Sequence, residues 1–404
     1  LMEENTLTMQ ALVIAHASYG HNSFFKNNYL FKTWTDAESI VDYMVFARNF
    51  IADCEQRHGL EAVEQTLDAC HALMNHGVDR YKRPYPMSAQ EEKQRQLERE
   101  ELLQQQVNEL WSTIPTTEQP AGARDAARFP EEPQENILYF LEKNAPLLEP
   151  WQREIIRIVR KISQYLYPQR QTKVMNEGWA CFWHWHILHE LYNEGLVTDG
   201  FMMEFLQYHT GVIYQPAFDS PYYSGINPYT LGYAMMQDLK RICSAPTDED
   251  RAWFPDIAGS PWQETLDFAM RDFKDESFIL QFLSPQLIRD LKLFSVFDDA
   301  EQDYLEIAAI HNESGYQQIR ESLSANYNLG NQEPNIQVDN VNVRGDRSLT
   351  LRHDMHRGRP LDRQSTEEVV RHLQQLWGFD VILESVTEDR VVDRVVHSKL
   401  GAAT

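Results

Sequence analysis

Through most of residues 1–297 the apolar positions recur three or four apart, which predicts a succession of helices. Ala11-Leu12-Val13-Ile14-Ala15 predicts a buried helix that runs into His16-Ala17-Ser18-Tyr19-Gly20-His21 and the polar-aromatic string Asn22 to Tyr29. Ile40, Tyr43, Met44, Ala47 and Phe50 share one face of a helix from 36 to about 58, with Thr35 or Asp36 as its cap and Gly59 as its stop. The same reading places helices over 61–74, 136–144, 150–165, 172–194, 198–209, 230–243, 261–273 and from Pro285 onward. Near Tyr304 the period changes. Residues 305–310, 335–343, 348–353, 379–384 and 390–396 carry strand patterns. Helices are expected over 315–327 and 366–377, the second capped by Ser365 or Thr366. The fold class expected is therefore mainly α: a large multi-helix domain over 1–297, then a small α+β module over 298–404. Residues 81–133, with Pro84, Pro86, the charged run 91–101 and Pro115 to Pro133, are expected to be a solvated charged helix and loop inserted in the helical domain.

Composition bounds the function. An apolar fraction of 42% over 404 residues is that of a folded chain. A net charge of −24 argues against nucleic-acid partners and anionic membranes, because like charge repels. That charge is uneven: residues 331–404 hold 10 basic and 12 acidic side chains, so −2 belongs to the tail and −22 to the rest. No apolar run reaches the ~18 residues that suggest a membrane span. Cys54, Cys70, Cys181 and Cys243 lack C-x-x-C spacing, so they read as four reduced thiols rather than a thiolate zinc site. The opening Leu1-Met2-Glu3-Glu4 has no basic signal-peptide region, and a start on Leu suggests an absent leading segment.

Two constellations carry chemistry. His16 and His21 are five apart, which on an ideal α-helix leaves them about 140° apart; they meet only if the helix bulges or ends near Gly20. Spacing alone favours one core and one capping histidine. The second constellation is Asn176-Glu177-Gly178-Trp179-Ala180-Cys181-Phe182-Trp183-His184. Glu177, Cys181, His184 and Leu188 fall on one helix face, where a carboxylate must be paired or ligated. Two histidines followed by a glutamate from a later helix is the ligand set of gluzincin-type zinc hydrolases. His16, His21 and Glu177 are thus the candidate ligands of a divalent metal, zinc first among them. The H-E-x-x-H glutamate is missing, so His184 is the candidate catalytic acid or base. Asn27, Asn28, Asn176, Asn227 and Tyr229 are candidate cleft residues; Asn227 reads equally as a cap with Pro228 at the first helical position.

Together, residues 16–29 (HASYGHNSFFKNNY), 174–184 (VMNEGWACFWH), 224–232 (SGINPYTLG) and 271–277 (RDFKDES) resemble the SpoVR family, the stage V sporulation protein R-like proteins. The resemblance spans essentially the whole chain. It implies a cytoplasmic protein linked to spore cortex (peptidoglycan) formation or stationary-phase stress. It also implies a PrkA-type serine kinase and a von Willebrand-like protein as partners. Two readings follow: a metal-dependent hydrolase of amide bonds, or a non-enzymatic scaffold acting with that kinase.

Overall fold

The structure, a computed structural model, describes residues 2–35, 37–80, 129–130, 132–297, 306–309, 311–387 and 390–398. The charged run 91–101, nearly all of the proline-rich insertion, the cap candidate Asp36 and both ends of the strand expected over 305–310 lie outside the described residues. The chain forms two compact units, each discontinuous in sequence: Leu1–Asp53 with Lys161–Pro334, and Cys54–Arg160 with Asn335–Thr404. It is mainly α, with a four-stranded sheet confined to its C-terminal region.

The first unit is built around the helix Lys173–Asn193, whose residues Val174, Met175, Trp179 and Phe182 lie in its apolar core. That helix packs on Pro228–Ser244 so closely that the two backbones touch. A Cβ on Gly178 would meet the Gly232 carbonyl carbon at 2.3 Å, and one on Gly232 would meet the Val174 oxygen at 2.0 Å. Glycine at both positions is what lets the helices approach. The central helix begins on a carboxylate distant in sequence. Asp275, fully buried, accepts from the Val174 and Met175 amides at 2.9 Å each and so satisfies donors that a helix start leaves orphaned.

Several boundaries differ from expectation. The helix expected to end at 165 runs Pro150–Gln171 with Pro168 inside it. Pro168 withholds one amide, but its carbonyl accepts from Thr172 Oγ1 at 2.8 Å and Arg170 pairs with Glu333 at 2.5 Å, so side chains hold the last turn. Asp248–Trp253, Asp275–Phe282 and Leu329–Gln332 are further helices, too short to register as a repeat. Strands β1 (Ser295–Phe297) and β2 (Glu306–Ala309) pair antiparallel.

In the second unit the sheet order is β3 (Asn335–Val341), β4 (Leu349–Asp354), β5 (Val381–Thr387), β6 (Arg390–His397). The outer pairs are antiparallel, and β4 with β5 is parallel. A parallel pair needs a crossover, here the helix Arg363–Trp377. Asp362, rather than Ser365 or Thr366, caps it, accepting from the Ser365 amide at 2.8 Å. Gly378, at φ +85°, ends it in the left-handed conformation. Along β4, Leu349, Leu351 and His353 point inward in strict alternation.

Candidate metal centre

The segment Ile14–His21 is a π-helix between the α-helices Leu7–Val13 and Asn22–Asn27. Its backbone bonds close over five residues, as in Asn22 N–H to Ala17 O. Residues five apart therefore stack on one face, and the His16 and His21 rings stand 4.6 Å apart, edge to face. The wide turn rests on the central helix. A Cβ on Gly20 would lie 2.6 Å from Ala180 Cα, so only glycine permits this approach. Trp179 Nε1 donates to Ser23 Oγ at 2.9 Å and ties the two elements together.

Glu177 projects from the central helix between the two rings. Its Oε2 lies 3.8 Å from His16 Nε2 and 3.5 Å from His21 Nε2. These separations exceed hydrogen-bond length, and Oε2 is a buried oxygen that accepts no hydrogen bond. His21 Nδ1 lies 2.9 Å from Asn176 Oδ1. An amide oxygen only accepts, so His21 carries a proton on Nδ1, and in the neutral ring Nε2 turns its lone pair toward Glu177. The nitrogens and the carboxylate oxygen are all within 4.8 Å of one another. In a tetrahedral site with bonds near 2.0 Å, ligand atoms stand about 3.3 Å apart. Two ring nitrogens and a carboxylate oxygen thus converge at separations somewhat longer than those of a tetrahedral site.

Behind this trio lies a row of imidazoles. His16 Nδ1 is 3.0 Å from His184 Nδ1, and His184 Nε2 is 2.7 Å from His209 Nδ1. His184 and His209 are buried among Phe205, Leu188 and Met202. Burial, with neighbouring imidazoles adding to it, pushes His184 down to about 2 and both His16 and His209 down to about 4, so all three are neutral near pH 7. Cys181 is buried beside His16 and His184, and burial pushes its thiol up, away from the thiolate form. Tyr229 stands by Glu177; burial first, and then that carboxylate, push its hydroxyl up to about 12, so it stays a proton donor.

The sequence-derived candidates separate into three groups. His16, His21 and Glu177 converge, with Asn176 orienting His21 and Tyr229 beside Glu177. His184 joins the cluster from the interior, 1% exposed, and meets the ligand trio only through His16. Asn28, Asn227 and Asn27 bond to the scaffold. Asn28 is buried and donates to the Met270 and Phe273 carbonyls, Asn227 caps its helix and donates to Val212 O and Tyr214 O, and exposed Asn27 donates to Ser23 O. His209 was not singled out from sequence. Its signal is the stripe Met202, Phe205, His209, a core face that carries one polar ring.

Comparisons with known proteins span the segments in which the motifs lie. A family model described as SpoVR like protein matches residues 1–332, and one described as SpoVR-like C-terminal domain matches 334–388. The chain is 66% identical over 393 residues to Uncharacterized protein YcgB of Escherichia coli (strain K12), covering 97% of this chain and 77% of that one. No solved structure matches. Among the described residues, no helix is long and apolar enough to cross a membrane.

Proposed function

The chain belongs to the SpoVR family, and we propose that His16, His21 and Glu177 hold a divalent metal, zinc by ligand type, at a hydrolytic centre. The observation that carries this reading is the buried Glu177 Oε2, which accepts no hydrogen bond while two ring nitrogens stand 3.5 and 3.8 Å away. His21 Nε2 and Glu177 Oε2 both present lone pairs to the space between them. Such an arrangement repels itself unless a cation lies within it. Two histidines and one glutamate are the protein ligands of the thermolysin and carboxypeptidase type, which leave a position open for water or a substrate carbonyl. When bound, the metal supplies Lewis acidity. The chain's own residues do the remaining work: Asn176 fixes the His21 ring, Gly20 keeps the π turn against the central helix, and Tyr229 offers a neutral hydroxyl beside the carboxylate. Amide bonds, of peptide or peptidoglycan type, are the substrate class that this ligand set serves best.

Metal analysis of protein purified without chelators and dialysed against zinc tests the reading. One equivalent is expected in the parent chain. His16→Ala, His21→Ala and Glu177→Ala should lose it while keeping their circular dichroism. A metal-free parent, or variants that bind as it does, would overturn the metal centre and leave the scaffold reading, in which the chain works alongside a serine kinase of the PrkA type.

A further inference from the structure

We propose that His184 and His209 are positioning residues for the metal centre, holding His16 in the tautomer whose Nε2 lone pair faces Glu177. The inference rests on the metal reading above and concerns how one of its ligands is kept ready. A neutral imidazole has one donor nitrogen and one acceptor nitrogen. The bonds His16 Nδ1 to His184 Nδ1 at 3.0 Å and His184 Nε2 to His209 Nδ1 at 2.7 Å each need one proton, so the row runs in one direction or the other. If the protons point toward His16, then His16 accepts at Nδ1 and carries N–H at Nε2. That N–H would find the Glu177 carboxylate within reach and close to a hydrogen bond near 2.9 Å. The separation is instead 3.8 Å, and Glu177 Oε2 accepts nothing. The row therefore runs inward, His16 Nδ1–H to His184 and His184 Nε2–H to His209, and it leaves the His209 Nε2–H buried without a partner among the described residues.

The far end of the row rules out a different role. His209 is 2% exposed, and its Nε2 is a buried atom with no hydrogen-bond partner, packed beside the Phe205 and Tyr233 rings. A proton conduit needs an exit, and this row ends in apolar packing. What it does provide is direction. Metal-bound histidines commonly give their second nitrogen to a carboxylate or a carbonyl, which fixes tautomer and ring orientation. Here a buried imidazole shares that place with the Ala180 carbonyl, and a second imidazole fixes the first.

The test compares His184→Gln, which keeps one acceptor and one donor, with His184→Leu, which keeps neither. Cobalt(II) affinity of the full chain is measured by chelator competition, with His21→Ala as the control for the site. Parent protein should bind one equivalent and His21→Ala should lose it. His184→Leu should bind about tenfold more weakly or worse, and His184→Gln within about threefold of the parent. Nitrogen-15 spectra of histidine-labelled, metal-free protein supply a readout that packing does not move. His16 should be protonated at Nδ1 in the parent and in His184→Gln, and should lose that preference in His184→Leu. Should His184→Leu not fold, His209→Leu, an apolar side chain in an apolar pocket, replaces it and is expected to weaken cobalt several-fold. A parent that binds no cobalt overturns the metal centre and this inference together. A parent that binds, with Leu and Gln variants equal to it or equally impaired, or His16 protonated at Nε2, overturns this inference and leaves the metal centre standing.

Discussion

Each unit draws a glutamate inward, one fully and one in part, and the two are treated in opposite ways. In the second unit Glu142, with a side chain 1% exposed, is met by Lys143 and Arg157 at 3.0 Å on one oxygen and by Arg160 at 3.2 Å on the other. Burial alone would raise its carboxyl; the three cations outweigh it and hold the group below the usual carboxylate range. In the first unit Glu177, with a side chain 17% exposed, faces two imidazoles across gaps too long for hydrogen bonds, and one of its oxygens accepts nothing. A carboxylate that serves only the fold is satisfied by the fold's own cations. On the reading proposed above, the Glu177 oxygen that accepts nothing, beside two imidazoles, is where a cation would bind.

The sharpest way to break this contrast is to remove each carboxylate. Glu142→Met should destabilise the chain by about 2 kcal/mol, since it removes the carboxylate that Arg160 and Arg157 share, Arg157 keeping Glu154. Glu177→Met, measured in chelator, should change stability by less than about 1 kcal/mol or raise it, because an unsatisfied group is lost. With zinc at a thousand times its dissociation constant the parent should gain about 4 kcal/mol and Glu177→Met nothing. Urea unfolding with and without metal reads all three. Equal losses for the two variants in chelator would make Glu177 an ordinary member of the core.

How much of this was legible in the sequence differs between the two regions. That His16, His21 and Glu177 would converge was legible from two histidines near one turn and a glutamate on an otherwise apolar helix face. The five-residue spacing was the obstacle, and it was also the clue, since only a π turn brings His16 and His21 together and Gly20 sits where that turn must press against Ala180. His209 was less visible, because one histidine on a core stripe gives no hint of which ring it will meet. Asp275 lies within the motif at 271–277; its role is to cap a helix that starts 102 residues earlier, at Lys173, and no local pattern records such a pairing. The strands and helices of the C-terminal region follow their alternation closely. That residues 54–160 join them in one compact unit depends on long-range packing, which periodicity does not encode.

Acid should separate the units next. His16, His184 and His209 are all held below the ordinary value of 6.5, so the folded chain binds fewer protons than the unfolded chain between that value and their own. Stability from these groups is complete above about pH 6.5 and declines as pH falls toward 4. Glu142, also lowered, keeps its contribution down to its unfolded value of 4.5 and loses it only below. In metal-free protein between pH 7 and 5, hydrogen-exchange protection around His184 in Lys173–Asn193 should fall, after correction for intrinsic rates, by more than that of β4 and β5, where burial lowers one imidazole, His353; Asp275 at the helix start, raised to about 7 by burial, works the other way and sets a lower bound on the fall. Parallel loss in both would show that the imidazole row does not set the acid response of the first unit.

Helix caps give the smallest test of the same contrast. Asp275 and Asp362 do one job, accepting from amides at a helix start, but Asp275 is buried against a helix of its own unit's core and Asp362 is an exposed local cap. Removing Asp275 leaves two buried amides with no partner, whereas removing Asp362 leaves amides that water can reach. Asp275→Ala should therefore cost about 2 kcal/mol and Asp362→Ala about 1 kcal/mol. The larger change should also loosen the turn that carries Asn176 and Glu177, so zinc affinity should drop in Asp275→Ala and stay at the parent value in Asp362→Ala. Denaturant midpoints and a zinc titration on both variants decide it: equal midpoints, or equal zinc binding, would mean that the start of the central helix is not what holds Glu177 in place.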